Sequence, residues 1–192
     1  MVTDRDMKIM ISLLVAGIMA ASVPACAQRI SMSTDLLGYA CLGTLNADVS
    51  YSMSKRWSIG VGVRYNPFTF NSGDPQNQLQ LRQRSLSLGA RLWPWHTGSG
   101  WWFACKIRGQ EYNWGGLLSR ETEEGIRFGA GIYSGYTHML SRHFSLEFGL
   151  GLWGGYRTYR KYSCQKCGTT VDRGHGAFML PDDISLSLVY VL

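Results

Sequence analysis

The sequence has no long apolar run beyond its N-terminal part, although 45% of its residues are hydrophobic. A membrane-spanning helix needs about 20 consecutive apolar residues, so none is expected after residue 21. Histidine is scarce as well, with four residues, and cysteine occurs five times. A structural zinc site needs four suitably spaced ligands, and no segment supplies them. The sequence therefore predicts neither a metal site nor a cofactor.

The N-terminal segment has the organisation of a secretory signal peptide. A basic residue precedes an apolar run over residues 9–21, and small residues follow it. Ala25 and Ala27 satisfy the small-x-small rule, which predicts a cleaved signal peptide over residues 1–27 and a mature barrel domain over residues 28–192. The run is too short for a retained anchor. A lipoprotein signal would use the cysteine between the two alanines, but the residues before it match such a signal poorly.

Acidic residues are fewer than basic ones, 13 against 19, which gives a formal net charge of +6. Such an excess is typical of nucleic-acid-binding proteins. Here, however, the bases alternate with serine and glycine inside predicted strands, and an exported chain does not meet nucleic acid. We therefore predict no nucleic-acid partner, and we expect attraction to outer-membrane lipids, above all to anionic lipopolysaccharide.

Apolar and polar residues alternate through most of the chain. From Trp57 to Tyr65 the odd positions are apolar, whereas the even positions hold serine, glycine and arginine. A strand with lipid on one face and a wet lumen on the other has this period of two. The pattern recurs in eight segments, at residues 29–39, 44–52, 56–67, 80–93, 100–112, 126–138, 143–157 and 181–192. It predicts an all-β fold: an eight-stranded antiparallel up-and-down transmembrane β-barrel in the bacterial outer membrane.

The connections between the predicted strands alternate in length. Those after the second, fourth and sixth strands are short turns. Longer connections with glycine, asparagine and proline are predicted at residues 68–79, 113–125 and 158–180. Outer-membrane barrels have short periplasmic turns and long loops outside the cell, so these three segments are expected to be outer loops.

The apolar positions form rows that should face lipid, among them Phe128, Ala130 and Ile132, and Cys105 falls in such a row. Aromatic residues gather at the predicted strand ends, with Tyr51, Trp57, Trp93, Trp95, Trp101, Trp102, Tyr136, Phe144 and Tyr190 at the periplasmic side and Tyr39, Tyr65, Phe68, Tyr112, Trp114, Tyr156 and Tyr159 at the outer side. Two aromatic girdles around an aliphatic band are expected of a barrel in a bilayer.

Several short blocks occur together in a recognisable order. They are residues 54–58, 65–70, 109–116, 129–132, 140–147 and 161–168. On these blocks the chain resembles a family of small outer-membrane barrels of unknown function from Bacteroides-type bacteria, and the resemblance covers most of the predicted mature domain. It implies a barrel without an established activity, and a role linked to fimbriae or surface adhesion.

Cys164 and Cys167 form the sharpest local motif, two cysteines with two residues between them. A zinc site would need two further ligands, for which His175 is the nearest candidate, and redox catalysis would need a helix that is not predicted here. An exported chain meets an oxidising periplasm, so we favour a disulfide between the two cysteines. Free thiols, metal binding and redox chemistry are the alternatives.

Charged residues at lumen-facing positions form a second cluster. They are Asp48, Arg64, Arg91, Lys106, Arg108, Glu147 and Arg157. A ring of charges can select ions in a pore. About eight strands, however, enclose a lumen that side chains alone can fill. We therefore expect a structural plug of ion pairs and hydrogen bonds, with a narrow pore as the alternative.

Catalysis has little support in the sequence. An enzyme that modifies lipid A would need a histidine beside a serine or a carboxylate at the outer rim, and only His175, with Asp172, falls in a predicted outer loop. We predict no catalytic residue. The expected function is that of a monomeric, non-enzymatic barrel with a structural or surface-interaction role, whose outer loops bind a surface protein or a polysaccharide. A narrow pore and a lipid A-modifying enzyme are the alternatives.

Overall fold

A computed structural model of the protein describes residues 29–40, 43–70, 79–115, 122–163 and 170–192. In chain order the elements are β1 (Ile30–Asp35), the short helix α1 (Leu36–Ala40), β2 (Leu45–Ser52), β3 (Trp57–Asn66), the two-residue strand β4 (Thr69–Phe70), β5 (Leu79–Leu92), β6 (Gly100–Gly115), β7 (Thr122–Met139), β8 (Phe144–Tyr162) and β9 (Thr170–Val191). The predicted all-β class is confirmed. No helix among these residues is long and apolar enough to cross a membrane, a finding that does not concern strands.

Eight of these strands close into a barrel. Neighbours along the chain pair antiparallel from β5 to β9, β9 pairs with β1, and β2 and β3 follow. The ring closes between β3 and β5, where Trp57 lies opposite Leu92 and Asn66 opposite Gln83. The short β4 only adds two residues beside one end of β5. The predicted eight-stranded antiparallel up-and-down barrel is therefore confirmed, and closure pairs both edges of the sheet.

The two ends of the barrel differ in their connections. The start of β1 and the end of β9 lie at one end, which we call the terminal end, together with three tight turns. Two of these turns are built alike: Ser54 Oγ accepts the backbone N–H of Trp57 at 3.2 Å, and Ser141 Oγ accepts that of Phe144 at 3.1 Å. The third turn contains Gly98 with a φ of 84°, a left-handed conformation that glycine adopts without a steric cost.

At the opposite end, which we call the long-strand end, the barrel extends further than the sequence predicts. The strands β6 to β9 continue into the predicted outer loops 113–125 and 158–180, and these two loop predictions are wrong over most of their length. Polar cross-strand contacts, such as the hydrogen bond from Tyr162 to Glu124, accompany the backbone ladder there. The strands pair here without a row of apolar residues on their outer face. The sequence therefore shows no hydrophobic alternation that would have predicted this extension.

The first and last strands also differ from their predicted bounds. The predicted strand 29–39 is interrupted because α1 begins after Asp35, whose carboxylate accepts the backbone N–H of Leu37 at 3.1 Å. The last strand begins before residue 181, the predicted start. Pro181 has no N–H for the ladder and lies just before a register shift between β8 and β9, so it is next to an irregularity within a long strand and not at its beginning.

Side-chain burial alternates along the strands as the predicted rows require. Outward-facing Phe128, Ile132 and Leu150 are 63%, 64% and 52% exposed. Cys105 also faces outward. Inward-facing polar residues, by contrast, are buried, with Gln110 at 8%. The register of the barrel therefore places its apolar rows on the outside.

The core lies inside the barrel, and its buried apolar cluster comprises Trp93, Trp102, Ala104 and Tyr133. Most of the predicted girdle residues are exposed. The prediction is wrong for Trp93, Trp102 and Tyr112, which are buried, and for Trp114 and Tyr159, which face the inside of the barrel. Successive residues of a strand face opposite sides, so Trp101 is exposed while its neighbour Trp102 is not. Whether an aromatic side chain faces outward or inward is therefore predicted better by its even or odd position along the strand than by its distance from the strand end.

Candidate functional site

The middle of the bore is filled by side chains that we call the plug. It comprises Asp48, Arg64, Arg91, Lys106 and Glu147 together with the rings of Trp102 and Tyr133. Each of the eight barrel strands contributes to the lining of the gap between them, and that gap measures only about 20 Å³. A space of this size holds about one water molecule. The plug therefore leaves no continuous water column at this level of the described barrel.

A buried ion pair crosses the plug. Arg91 Nη1 lies 3.0 Å from both carboxylate oxygens of Glu147. The Glu147 side chain is 5% exposed and accepts a further hydrogen bond from Thr137 Oγ1 at 3.2 Å. Arg91 belongs to β5 and Glu147 to β8, which are three strands apart in the ring, so the pair ties two sides of the barrel together.

Two aromatic rings fill the space that the ion pair leaves. The guanidinium of Arg91 lies 4.7 Å from the ring centre of Trp102, and Lys106 Nζ lies 4.6 Å from that of Tyr133. An inward-facing glycine on β8 makes room for one ring, because a Cβ atom at Gly151 would lie 2.1 Å from Tyr133 Cδ1. Cations on aromatic faces are stabilised by the ring quadrupole, more so where water is excluded.

Between the plug and the long-strand end the bore widens into a cavity of about 270 Å³, which we call the chamber. Its lining includes Asp35, Asn46, Arg64, Gln83, Arg108, Gln110, Trp114, Arg127, Trp153 and Pro181. These residues come from all eight barrel strands, so the chamber lies inside the barrel. Three guanidinium groups and one carboxylate, that of Asp35, line it, so the described lining carries more positive than negative charge.

Arg127 is 3% exposed and lies among aromatic rings beside the chamber. Its guanidinium carbon is 3.9 Å from the ring centre of Tyr112 and 4.4 Å from that of Trp114. Glu123 Oε1 accepts the Tyr112 hydroxyl at 2.7 Å and lies 3.8 Å from Arg127 Nη2. Arg157 Nη1 lies 3.4 Å from the same oxygen. This cluster borders the chamber toward the long-strand end.

The seven charged residues predicted to face the lumen are thus divided. Five of them belong to the plug, and one of those, Arg64, reaches the chamber as well. Arg108 lines the chamber, and Arg157 lies apart from the others beside Glu123. Sequence reasoning missed Arg127, although it is as buried as Arg108, because the predicted strand began one residue before it and the rows were read from the apolar side.

The buried rings of the plug were missed as well. Both had a signal in the sequence, since Trp102 is an even number of residues from Lys106 and Tyr133 is two residues from Gly131. Residues of equal parity in a strand share a face. Glycines of the same face supply the space that a large inward ring needs, and a Cβ at Gly131 would lie 2.6 Å from the hydroxyl of Tyr133.

A separate pocket of about 580 Å³ lies against the outer face of the barrel at the long-strand end. The outward-facing residues around it include Tyr65, Arg82, Arg84, Glu111, Ile126, Thr158 and Arg160. Arg84 is ion-paired with Glu111, and both side chains are well exposed. The outer surface changes from apolar to charged here, within a few residues of Phe128 and Tyr156.

Comparison with known proteins identifies a family. Residues 9–192 match the family described as Protein of unknown function (DUF3575). The chain belongs to the DUF3575 family. No curated protein and no solved structure gives a significant match. The Bacteroides-type origin and the outer-membrane location, which the resemblance of the sequence implies, stay predictions.

The cysteines of this DUF3575 member are only partly described. Cys164 and Cys167, for which a disulfide is predicted, lie outside the described residues. Cys105 is a free cysteine on the outer face. In the ranges that the structure describes, no three histidine, cysteine, aspartate or glutamate side chains are grouped so that they could hold a metal ion.

The predicted loop position of His175 and Asp172 is wrong, since both belong to β9. Residues three apart on a strand face opposite sides. His175 is on the outside, with its ring centre 5.9 Å from that of Tyr156. Asp172 instead accepts the hydroxyl of inward-facing Tyr159 at 3.4 Å. The two side chains therefore do not form a histidine–carboxylate pair.

Proposed function

We propose that this DUF3575 protein is a non-enzymatic β-barrel of the bacterial outer membrane with a closed bore. Its role is structural or interactional, exerted through the long-strand end. The observation that carries the proposal is the contrast between an outer surface of exposed apolar rows and a bore filled by charged side chains. A water-soluble barrel would place these two surfaces the other way round.

The apolar rows form a belt of the height that a membrane requires. On β3 alone, five outward side chains from Trp57 to Tyr65 are 43–52% exposed. Ten strand residues, at about 3.3 Å each and a tilt of about 45°, cover about 23 Å of membrane thickness. In water this belt would be a large exposed apolar surface that favours aggregation. Burial in lipid removes that cost.

The plug supports a closed barrel over a narrow pore. Ions cross a pore only through a continuous wet path. The Arg91–Glu147 pair and the rings of Trp102 and Tyr133 leave gaps of about 20 Å³ at the middle of the bore. Buried partners of opposite charge are held in place, because separating them would leave an unpaired charge inside the barrel.

The charged outer rim supports lipopolysaccharide as a neighbour. Arg82, Arg84 and Arg160 face outward around the pocket at the long-strand end, directly above the belt. Guanidinium groups at this height suit phosphate-bearing headgroups. The extension of β6 to β9 beyond the belt offers a further surface for a protein or polysaccharide partner, of which a fimbria-linked protein is one. In this proposal the barrel is a monomer, because the eight strands complete their own pairing.

Lipid A modification has no support from the geometry, because His175 and Asp172 face opposite sides of β9. A catalytic histidine needs its orienting or attacking partner within hydrogen-bond reach. The proposal therefore assigns no catalytic residue and no cofactor to the barrel.

Planar-bilayer recordings test the closed bore. The purified protein, folded in detergent and inserted into the bilayer, should show no steady ohmic conductance. A Trp102→Ala/Tyr133→Ala variant, which removes both rings from the plug, should show increased current, whereas outward-facing Trp101→Ala should behave as wild type. Steady conductance of the wild-type protein would refute the closed bore. A protein that folds and stays dispersed in buffer without detergent would refute the membrane location.

A further inference from the structure

The chamber contains buried hydrogen-bond donors that the described part of the chain leaves without acceptors. They are the indole Nε1 atoms of Trp114 and Trp153 and the Nε atom of Arg127. Trp153 and Arg127 are both 3% exposed. Indole and guanidinium groups can only donate, so each of these atoms needs an acceptor. All three residues line the same cavity.

Four side chains of the chamber that could accept are engaged with other groups of the barrel. Asp35 Oδ1 accepts the backbone N–H groups of Leu37 at 3.1 Å and Leu186 at 3.0 Å. Gln83 Oε1 accepts Gln110 Nε2 at 2.6 Å. Asn46 Oδ1 accepts the backbone N–H of Asp35, and Thr44 Oγ1 accepts Asn66 Nδ2 at 3.0 Å. The buried side-chain atoms of the chamber that have no partner among the described residues are therefore donors and not acceptors.

The charged residues of the chamber also favour a ligand that accepts hydrogen bonds. Arg64, Arg108 and Arg127 line the chamber, and Asp35 is the one carboxylate among the residues that the structure shows around it. Cations that are removed from bulk water are stabilised when an anion approaches them with good geometry. A ligand that only accepts hydrogen bonds and carries negative charge would meet both the donor excess and the charge excess.

We propose that the chamber is a binding site for a small oxyanion, a molecule whose phosphate or carboxylate group accepts from Arg127, Trp114 and Trp153. Guanidinium forks match the oxygen geometry of both groups. The volume of about 270 Å³ lies near the lower end of small-molecule pockets, about 300 Å³, so the site suits a compact acid and not a polymer. The plug closes one side of the chamber, which makes it a pocket and not a path.

Titration of the indole groups tests this proposal directly. We expect the ¹H–¹⁵N signals of Trp114 and Trp153 Nε1 to shift on addition of inorganic phosphate or acetate to the folded protein in detergent. Chloride at equal ionic strength should not move them. Trp102 supplies the internal control, because its Nε1 atom also has no acceptor among the described residues but lies in the plug. Its signal should stay in place.

Calorimetry on matched variants measures the effect. Trp114→Phe and Trp153→Phe keep an aromatic ring and remove one donor, so each should weaken binding of phosphate or acetate about tenfold, as expected for a hydrogen bond to a charged group. Trp102→Phe should leave the affinity unchanged. These measurements concern the folded barrel alone, so they stand whether or not the bore conducts ions and wherever the protein is located.

The possible results of these experiments distinguish the two ligand classes and show which results would overturn the proposal. Tighter binding of phosphate than of acetate would support a phosphoryl ligand, and the reverse order would support a carboxylate. No heat and no signal shift with either anion would overturn the proposal, and so would equal shifts with chloride. Equal loss of affinity in all three tryptophan variants would overturn it too, because the plug donor takes no part in the proposed site. Wild-type calorimetry decides the matter even where a variant fails to fold.

Discussion

The plug and the chamber are two regions of one bore, and they differ in how their polar groups are paired. In the plug, Arg91 contacts a carboxylate and a ring, Lys106 contacts a ring, and a gap of about 20 Å³ remains. One indole donor there, Trp102 Nε1, has no acceptor among the described residues. In the chamber, buried donors outnumber available acceptors around about 270 Å³. The same ring of strands therefore closes the bore at one level and leaves room for a ligand at the next.

The two regions also differ in what their buried aromatic rings contact. In the plug, Gly151, the residue opposite Tyr133 on the neighbouring strand, leaves room for the Tyr133 ring. In the chamber, Trp153 packs edge-on against Phe178 at 4.7 Å between ring centres. The Tyr133 ring therefore depends on glycine at the neighbouring inward position, whereas the Trp153 ring contacts another aromatic ring.

Removal of the plug carboxylate should have the largest effect. Glu147→Ala leaves Arg91 inside the barrel, 16% exposed and without this ion-pair partner. Breaking a buried pair in this way costs about 3–5 kcal/mol, because the remaining charge stays desolvated. We expect this loss in the free energy of unfolding, measured by urea denaturation of the barrel in lipid vesicles.

The matched control for that experiment is the exposed ion pair on the outer face. Arg84 and Glu111 have side-chain exposures of 73% and 48%, so solvent screens their interaction. Glu111→Ala should change the free energy of unfolding by less than about 1 kcal/mol. If both carboxylate variants lost the same stability, the plug would not be more dehydrated than the outer rim.

Filling the space behind Tyr133 should have the next largest effect. A Cβ atom at Gly151 would lie 2.1 Å from the Tyr133 ring, so Gly151→Ala forces the ring to move and should cost about 1–3 kcal/mol. Gly176→Ala on β9 is the control, since a Cβ there meets no atom within 4 Å. That variant should keep wild-type stability or gain a few tenths of a kcal/mol from the more restricted unfolded chain.

A double variant sharpens the second prediction. In Gly151→Ala/Tyr133→Ala the added methyl group meets no ring, so the cost of the glycine substitution should disappear when it is measured against Tyr133→Ala alone. A cost that persisted without the ring would show that the backbone of β8, and not the packing of the plug, requires glycine at this position.

Alternation was enough to predict the barrel and its register. Each side chain of β3 from Trp57 to Tyr65 has one allowed face, because a shift by one residue would turn a row of polar groups toward lipid. The inward charges of the plug follow from the same register. The register does not show which charged residues form ion pairs. Pairing across the bore depends on the stagger between strands, and the hydrophobic period alone does not determine that stagger.

The chamber and its border were harder to foresee. Tyr112 and Glu123 lie where the outer face is no longer apolar, so the alternation that marks a strand fades while the backbone ladder continues. The donor excess at Trp114 and Trp153 is a property of three-dimensional pairing, and no sequence pattern reports which acceptors are already engaged. The even or odd position of Trp114 and Trp153 along their strands could have predicted that their rings face the lumen. It could not have predicted the cavity between them.

A substitution at the border between the chamber and the long-strand end should have the smallest effect on stability. Tyr112→Phe keeps the ring that covers Arg127 and removes the hydroxyl that donates to Glu123 at 2.7 Å, which should cost about 1 kcal/mol in the free energy of unfolding. Tyr162→Phe is the control, because its hydroxyl donates to Glu124 at 2.6 Å but lies near the solvent end of β8. Water can replace that bond, so the second variant should be indistinguishable from wild type. Equal losses would mean that the border of the chamber is as wet as the strand ends, and the contrast between a sealed bore and a solvated extension would then fail at this level.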